Sequence, residues 1–526
     1  MGLLIGADGR AAPLRMRPRV LVPSRPELPR DVPPGTEAVV VGAGVAGISA
    51  AVVLAERGVG VTLLEAAPTL GGRLGAWPHT LPDGTEQVVE HGFHAFFRHY
   101  YTWRAVLRRI DPELGFLRPV GGYPVISRQW PPEDLTGLPA APPLNLLALF
   151  ARSPSLGLSD LLGSDRALAA ELLSYDRERT TARFDAMPAA EFLTALRMSD
   201  RAQAMLFEAF ARSFFARPRE LSAAELIAMF HYYFLGNPEG IGFDAPDTDY
   251  LSCIWQPFSE YLQRRGATVR VGAAVGAIVP TAPDADPRWR IELDSGAAVH
   301  TRNLVLAVDP GALRALLGAS PALAATAPEL ASRVEALAVA PPFAVSRLWL
   351  DRDVAADRPV FNAVSREPTL DSVTVYSRLE RPSAQWAART GGAVLELHSY
   401  ACSAPDAEAA TARMWAELAG LWPEVNAARV LHRQQRMEAT APTFPPGSSG
   451  NRPAVGGAAP GLWLAGDFVR TPFLSGLMER ASASGVLAAN GVLAEAGAGP
   501  EEIRGVPQRG LLARPHRRRR TAAART

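Results

Sequence analysis

Three glycines and one acid carry the first recognisable chemistry of this chain. In EAVVVGAGVAGISAAVVLAERGVGVTLLEAAPTLGGRLGA, residues 37–76, Gly42, Gly44 and Gly47 form a GxGxxG spacing, and Glu65 follows Gly47 by eighteen positions. Gly42 permits a tight turn. Gly44 lets backbone N–H groups approach a pyrophosphate at a helix N-terminus, and Gly47 lets helix and strand pack closely. A carboxylate at the spacing of Glu65 can accept hydrogen bonds from ribose hydroxyls. A glycine-rich packing turn would require only the glycines. Here an apolar strand (38–41), an alanine-rich helix (45–56), a second strand (59–64) and the acid are all in place, which points to a bound dinucleotide.

Which dinucleotide is decided by two further segments. TLGGRLG, residues 69–75, brings Gly72 and Arg73 directly after Glu65. Near the other end, GLWLAGDFVRTPFLSGLMERASASGVLAANGVL, residues 461–493, places Gly466 and Asp467 at the end of an apolar strand (462–465), with Leu477 and Met478 opening a helix from about Gly476. A nicotinamide-only domain does not need this second unit. A flavin does, because its isoalloxazine ring and ribityl chain extend past the pyrophosphate. Asp467 would accept a hydrogen bond from a ribityl hydroxyl, and the helix start would aim N–H groups at the flavin O2 side. FAD is therefore the expected cofactor. His91 and His94 are candidate catalytic residues beside it, although lone histidines also serve as hydrogen-bonded structural residues. With His99 they do not share one helical face, and no metal is expected.

Taken together, these segments resemble the flavin-dependent amine oxidase and phytoene desaturase superfamily, from about Glu37 to Leu493. VEHGFHAFFRHYYTWRAVLRRI, residues 89–110, looks like a segment of the carotene desaturases. The following GGYPVISRQWPPEDLTGLPAAPPLNLLALFARSPSL resembles the aryl-carotenoid (isorenieratene) synthases, or β-carotene desaturase/methyltransferases. The resemblance implies an α/β fold in which a Rossmann-like FAD-binding domain is interleaved with an α+β substrate domain. It implies a strand contacting the adenine, with Val275 the matching position. It also implies oxidation of a carotenoid β-ring to an aromatic end group with methyl migration. The substrate would be a hydrophobic polyene.

Composition agrees with a globular enzyme and narrows the alternatives. Charged residues make up 20% and hydrophobic ones 48%, and the net charge is +1, so there is no bulk electrostatic case for nucleic acid. All 54 basic residues are Arg, which excludes Schiff-base and P-loop lysine chemistry. Cys253 and Cys402 belong to no metal-ligand pattern, and buried free thiols in a reducing compartment are expected. The opening residues have no signal-peptide apolar core, and no run of about 18 apolar residues exists to span a bilayer. The expected location is cytoplasmic, peripheral to the inner face of the cell membrane.

The expected organisation is a flexible Pro/Arg-rich leader (1–36) and a FAD domain in three pieces (37–104, 250–340 and 456–496). A substrate domain in two pieces (105–249 and 341–455) and a disordered basic tail (497–526) complete it. Residues around 105–249 read as mostly helical, and alternating stretches at 344–351, 372–379 and 393–400 as an antiparallel sheet. The basic ends are solvated, or attracted to an anionic membrane at ~1 kcal/mol per residue. The segment 142–162 is a buried helix or an interfacial one that guides a lipid-soluble substrate. Aromatic runs at 93–103, 207–215 and 230–234 are core, or the lining of a tunnel.

Three other activities compete with ring aromatisation: acyclic carotene desaturation or isomerisation, amine oxidation, and carotenoid binding without catalysis. Amine oxidases commonly set a Lys near the flavin and a Tyr in a WSGYMEGA segment. This chain has no Lys and carries LSGLMERA, with Leu477 at the Tyr position. The electron acceptor is unknown from sequence.

Overall fold

The computed structural model describes residues 4–5, 11–12, 18–139, 144–157, 160, 163–281, 286–510 and 512–513. A five-stranded parallel sheet runs in the order Thr268–Arg270, Gly60–Leu64, Glu37–Val41, Asn303–Leu306, Leu462–Leu464. Val41 lies opposite both Leu64 and Leu306, and Leu306 lies opposite Leu464. The register therefore brings Gly42, Glu65 and Gly466 out along one carboxyl edge, the edge where open α/β sheets bind ligands. Glu37–Val41 and Asn303–Leu306, inside the sheet, are mostly apolar without alternation because both faces are covered, one by helices and the other by an antiparallel layer with its helices.

Helix Val45–Glu56 is apolar all round and buried from Val45 to Ala55, as expected of a helix inside a core. It packs on helix Leu477–Glu495 through small residues. The Ser49 and Ser482 hydroxyls lie 2.9 Å apart, and a Cβ on Gly485 would stand 2.1 Å from the Ala46 carbonyl oxygen. The two dinucleotide-type units of the sequence are thus locked face to face. The antiparallel strands Val275–Pro280, Trp289–Leu293 and Ala298–Thr301 build a second core with helices Pro310–Gly318 and Pro328–Glu335. Asp309 starts the first of these helices by accepting from Gly311 N and Ala312 N at 2.8 and 3.0 Å.

The other lobe centres on a seven-stranded sheet. Its order is Glu133–Asp134, Pro124–Ile126, Phe361–Val364, Ser372–Val375, Ala393–Ser399, Phe343–Leu350, Val430–Glu438. Pairing is antiparallel except between Pro124–Ile126 and Phe361–Val364. Every residue of Phe343–Leu350 and Ala393–Ser399 is buried. Both faces of the sheet are therefore covered, one by helix Ala407–Leu421 and the other by the layer containing Phe93 and Phe243.

The structure departs from the sequence expectations in three places. Arg19–Val22 pairs antiparallel with Ile503–Gly505, and Arg57 donates to Gly499 O at 2.7 Å and to Glu501 at 2.8 Å, so described parts of the leader and tail are held to each other and to the Val45–Glu56 helix end. Backbone ladders between distant segments satisfy what composition read as solvated ends. Residues 117–119, 124–126 and 133–134 are strands inside the region read as mostly helical: the first two pair with Phe243–Pro246 and Phe361–Val364, far along the chain, and 133–134 pairs back on 124–126. Cys253 is only half-buried, while Cys402 is buried, and both are free thiols. Residues 514–526, the Arg-rich end, lie outside the described residues, as do parts of 142–162.

Candidate functional site

The three fingerprint glycines do different work. Gly42 has φ +95°, and a Cβ there would lie 2.6 Å from Ala307 O. A Cβ on Gly47 would lie 1.8 Å from Gly42 O. Both glycines are demanded by the protein itself. At Gly44 the nearest protein atoms to a Cβ, Gly71 O and Gly72 Cα, would be 3.8 Å away, and φ is −74°. Glycine at position 44 is therefore not required by folding, and the clearance fits a pyrophosphate drawn up to the helix N-terminus. Gly71 N donates to Ala43 O at 2.9 Å, and a Cβ on Gly72 would stand 3.3 Å from Gly44 Cα, so the second loop closes over the first.

Glu65 is half-buried at the next strand end. Its carboxylate accepts from Ala43 N at 2.7 Å and Ala67 N at 2.8 Å. Its own carbonyl accepts from Ala273 N at 2.8 Å, which fixes the approach of Val275, itself half-buried, beside the same edge.

Gly466, with φ +151°, donates its N–H to the Ser484 hydroxyl at 2.8 Å, and the chain turns into Asp467. Both Asp467 oxygens accept from Arg73, at 2.8 and 2.9 Å. Burial disfavours the Arg73 charge, but the Asp467 carboxylate outweighs it and raises the guanidinium above its ordinary value. Leu477 begins its helix with φ +46°, a left-handed conformation that costs a branched residue about 1–3 kcal/mol and concentrates at functional sites. Leu477 and Met478 are half-buried. A Cβ on Gly476, just before them, would meet Met229 Sδ at 3.0 Å and Tyr233 Oη at 3.5 Å.

The two candidate histidines lie nearby but in different surroundings. His91 N donates to Gly75 O at 2.9 Å, and its ring meets Trp77 edge-on at 5.3 Å. His94 sets Nδ1 2.8 Å from Gly92 O and packs edge-on to Tyr250. Desolvation pushes His91 down to about 3 and His94 down to about 4, so both imidazoles are neutral at physiological pH. Beneath them lies a charge cluster that sequence reasoning missed. Arg347, buried, bridges Glu90 at 2.6 Å and Glu396 at 2.8 Å. Glu396 also takes Phe93 N at 2.6 Å and His398 Nε2 at 2.7 Å. Burial raises Glu90 and Glu380, whereas the charge of Arg347 offsets burial and lowers Glu396. The available signal was a charge inside otherwise apolar strands, FAVSRLWL and AVLELHS, because a buried charge demands a partner.

Trp255, Glu479 and the tyrosines also escaped the sequence reading. Trp255 Nε1 donates to Leu74 O at 2.8 Å, and a Cβ on Gly71 would stand 2.7 Å from that indole. Glu479 accepts from Thr102 N and Trp103 N at 2.9 and 3.0 Å, so one turn of the Leu477 helix caps helix Tyr101–Leu107. Tyr100 and Tyr233 share a 2.7 Å hydrogen bond, with His99 4.8 Å from Tyr232 and Phe97 4.8 Å from Tyr233, ring to ring. The irregular π-helical turn His231–Leu235 presents Tyr233 to Gly476, while Phe230 and Phe234 on either side line a cavity of about 650 Å³. Phe207, Phe243, Tyr123, Leu146 and Leu149 add to its mostly apolar wall, which also carries Arg98, Asp160, Arg166 and Glu239.

Comparison with known proteins places this arrangement. Residues 45–493 match the family described as flavin containing amine oxidoreductase. The carotenoid phi-ring synthase of Streptomyces griseus is 43% identical over 477 residues, 90% of this chain and 91% of the relative. That of Chlorobaculum tepidum is 28% identical over 595 residues, 91% of each chain. Cyclohexylamine oxidase from Brevibacterium oxydans superposes with a TM-score of 0.59 over 88% of this chain and 99% of the other, at 17% identity, and so shares the fold. The glycine cradle, the Glu65 edge and the Gly466–Asp467 turn fit FAD, which is the cofactor. The chain belongs to the flavin containing amine oxidoreductase family, with relatives among the carotenoid phi-ring synthases.

Proposed function

We propose that this enzyme oxidises a β-ring of a carotenoid to an aromatic end group, with migration of a ring methyl. The observation that carries the reading is the apolar cavity, which runs from the Leu144–Arg152 helix to the aromatic turn at His231–Leu235 beside the start of the Leu477 helix. Its lining suits a hydrocarbon. The 43% identical phi-ring synthase and the absence of Lys from the chain point the same way, away from an amine substrate.

The chemistry sets the requirements. A β-ring carries a quaternary carbon with two methyls, which blocks aromatisation by desaturation alone. Bound FAD would supply a hydride acceptor for each of the two two-electron oxidations that separate a β-ring from an arene, with an external electron acceptor reoxidising it between them. The chain holds the ring in place, excludes water and stabilises positive charge on the ring until a methyl shifts and a proton leaves. The faces of Tyr232, Tyr233 and Phe97 are suited to that positive charge. A Cβ on Gly476 would stand 3.5 Å from Tyr233 Oη and 3.6 Å from Tyr232 Cδ1, so these two tyrosines lie beside the helix start that we read as the flavin contact. No methyl donor is needed.

The Leu144–Arg152 helix supports a peripheral membrane location. Leu144 and Leu147 are 59% and 63% exposed, whereas Leu146 and Leu149 line the cavity. An amphipathic helix with apolar residues on its outer side can dip into the acyl boundary and admit a polyene directly. No helix among the described residues is long and apolar enough to cross a membrane.

The test is conversion of β-carotene labelled in one geminal methyl, followed by NMR. Label retained on the neighbouring ring carbon, without S-adenosylmethionine, is the expected outcome. Loss of the label, or dependence on an added methyl donor, would overturn the reading. Activity on lycopene with none on β-carotene would replace it by acyclic desaturation.

A further inference from the structure

Arg436 carries donors that the protein does not use. It lies in strand Val430–Glu438, opposite Val345. Nη2 donates to Glu90 O. Nε and Nη1 are shut off from solvent and have no acceptor among the described residues. The guanidinium stands over the Trp77 ring at 4.6 Å, and His91 meets the same ring edge-on at 5.3 Å. His91 is bonded to Gly75 O, and Gly75 N to Gly72 O, both at 2.9 Å. The free donors therefore belong to the cluster that stacks onto the Gly72–Arg73 loop. His91 Nδ1 is also buried without a hydrogen-bond partner there, with Glu438 at 3.6 Å.

Two buried N–H donors on one cation imply a ligand acceptor, because leaving them unmet is costly. A carotenoid ring is a hydrocarbon and offers none. The pyrimidine edge of a flavin offers carbonyl oxygens and a ring nitrogen, and it becomes anionic on reduction. We propose that Arg436 faces the pyrimidine edge of bound FAD and holds the reduced, anionic cofactor, making it a stronger oxidant toward a hydrocarbon. A planar guanidinium presents paired donors that suit such an edge. The nearby carboxylates Glu396 and Glu438 draw on the same cation, and Arg347 opposes it. Desolvation brings Arg436 down to about 10, so it stays charged at neutral pH.

The proposal rests on the FAD assignment, and its test separates the two. Purified holoprotein is compared with Arg436→Gln and Arg436→Lys for FAD stoichiometry, two-electron midpoint potential and affinity for sulfite, which adds to oxidised flavin and leaves charge on the pyrimidine edge. Arg436→Gln should favour reduced over oxidised FAD at least tenfold less, a fall of about 30 mV or more. It should also bind sulfite at least tenfold more weakly. Arg436→Lys should keep most of both. If Arg436→Gln does not fold, the unaltered protein must still hold FAD at a higher potential, and bind sulfite more tightly, than free FAD. Full FAD occupancy with unchanged potential and sulfite affinity would overturn the role of Arg436 and leave the cofactor assignment standing. A protein that takes up no FAD would overturn both.

Discussion

Arg73 and Asp467, 394 positions apart, meet in a two-point ion pair with N–O distances of 2.8 and 2.9 Å. The pair fastens the loop after the first dinucleotide-type unit to the turn that precedes the second. It sits at the carboxyl edge of the parallel sheet, joining the loop beside Gly44 to the turn before the helix that begins at Leu477. The Asp467 side chain is nearly buried, and the Arg73 side chain is about a third exposed. Each of these contacts can be separated from the fold by substitution.

Asp467→Ala removes the acceptor of the Arg73 ion pair, the side chain we propose also takes a hydroxyl of the cofactor. A hydrogen bond of this kind contributes about 1.5–3 kcal/mol, so the dissociation constant for FAD should rise roughly ten- to a hundredfold. Titration of apoprotein with FAD measures it. An unchanged constant would place Asp467 outside the cofactor site.

The glycines give a sharper contrast. Gly47→Ala puts a Cβ against the Gly42 carbonyl and should cost the fold itself, visible as loss of expressed folded protein or a large fall in Tm. Gly44→Val should fold, because protein packing leaves room there, yet lose flavin binding. Thermal melts and the flavin absorbance of the two purified variants distinguish the roles. Retention of full yellow colour in Gly44→Val would contradict the dinucleotide assignment.

Glu479 should leave a pH signature. Burial lifts its carboxyl to about 7, against the two backbone N–H groups that favour its charge. The folded group keeps its proton in a range where the unfolded group, near 4.5, has lost it. The folded state thus binds more protons between those values, and this group's contribution to stability falls as pH rises through that window. Glu479→Gln removes the dependence. Relative to the unaltered protein it should gain with rising pH, by about 3 kcal/mol at most, between pH 4.5 and 7. Denaturant unfolding at both ends of the range tests this, and a constant difference between the two proteins would refute it.

Leu144→Asp with Leu147→Asp should reduce flotation with liposomes severalfold while leaving the melting temperature nearly unchanged, because both side chains are largely exposed. Equal flotation of variant and parent would remove this helix from the membrane contact.

Leu477→Tyr should lower turnover of a carotenoid ring more than it lowers FAD content. The left-handed backbone at position 477 directs this side chain from the first residue of its helix, and a phenol there would bring a polar group and extra volume. Turnover per bound flavin is the measurement. An undiminished value would show that position 477 does not border the substrate.

The two dinucleotide-type units were legible in the chain because their roles belong to the backbone. A strand, a turn that needs glycine and a helix are written within about thirty residues, and their ligand is met by N–H groups. The expected strands at 38–41 and 462–465 and the helix at 45–56 are observed within a residue. The strands at 117–119 and 124–126 were not legible because their pairing partners are remote, and 133–134, which pairs with 124–126, is two residues long and carries little local signal. Nor was the docking of the chain ends visible, since a basic, proline-rich composition says nothing about a ladder formed with a segment hundreds of residues away.

The sequence by itself determined a dinucleotide-type unit at the end of a parallel sheet, because glycine spacing and an acid at a strand end constrain backbone geometry locally. The tertiary structure alone decided which side chains complete the site: Asp467 against Arg73, Glu479 beneath Thr102, Tyr100 against Tyr233, and Arg436 with two donors to spare. The state of a side chain depends on burial and on partners that folding brings from far along the chain. Residue type names the chemistry available, and packing selects which of it is used.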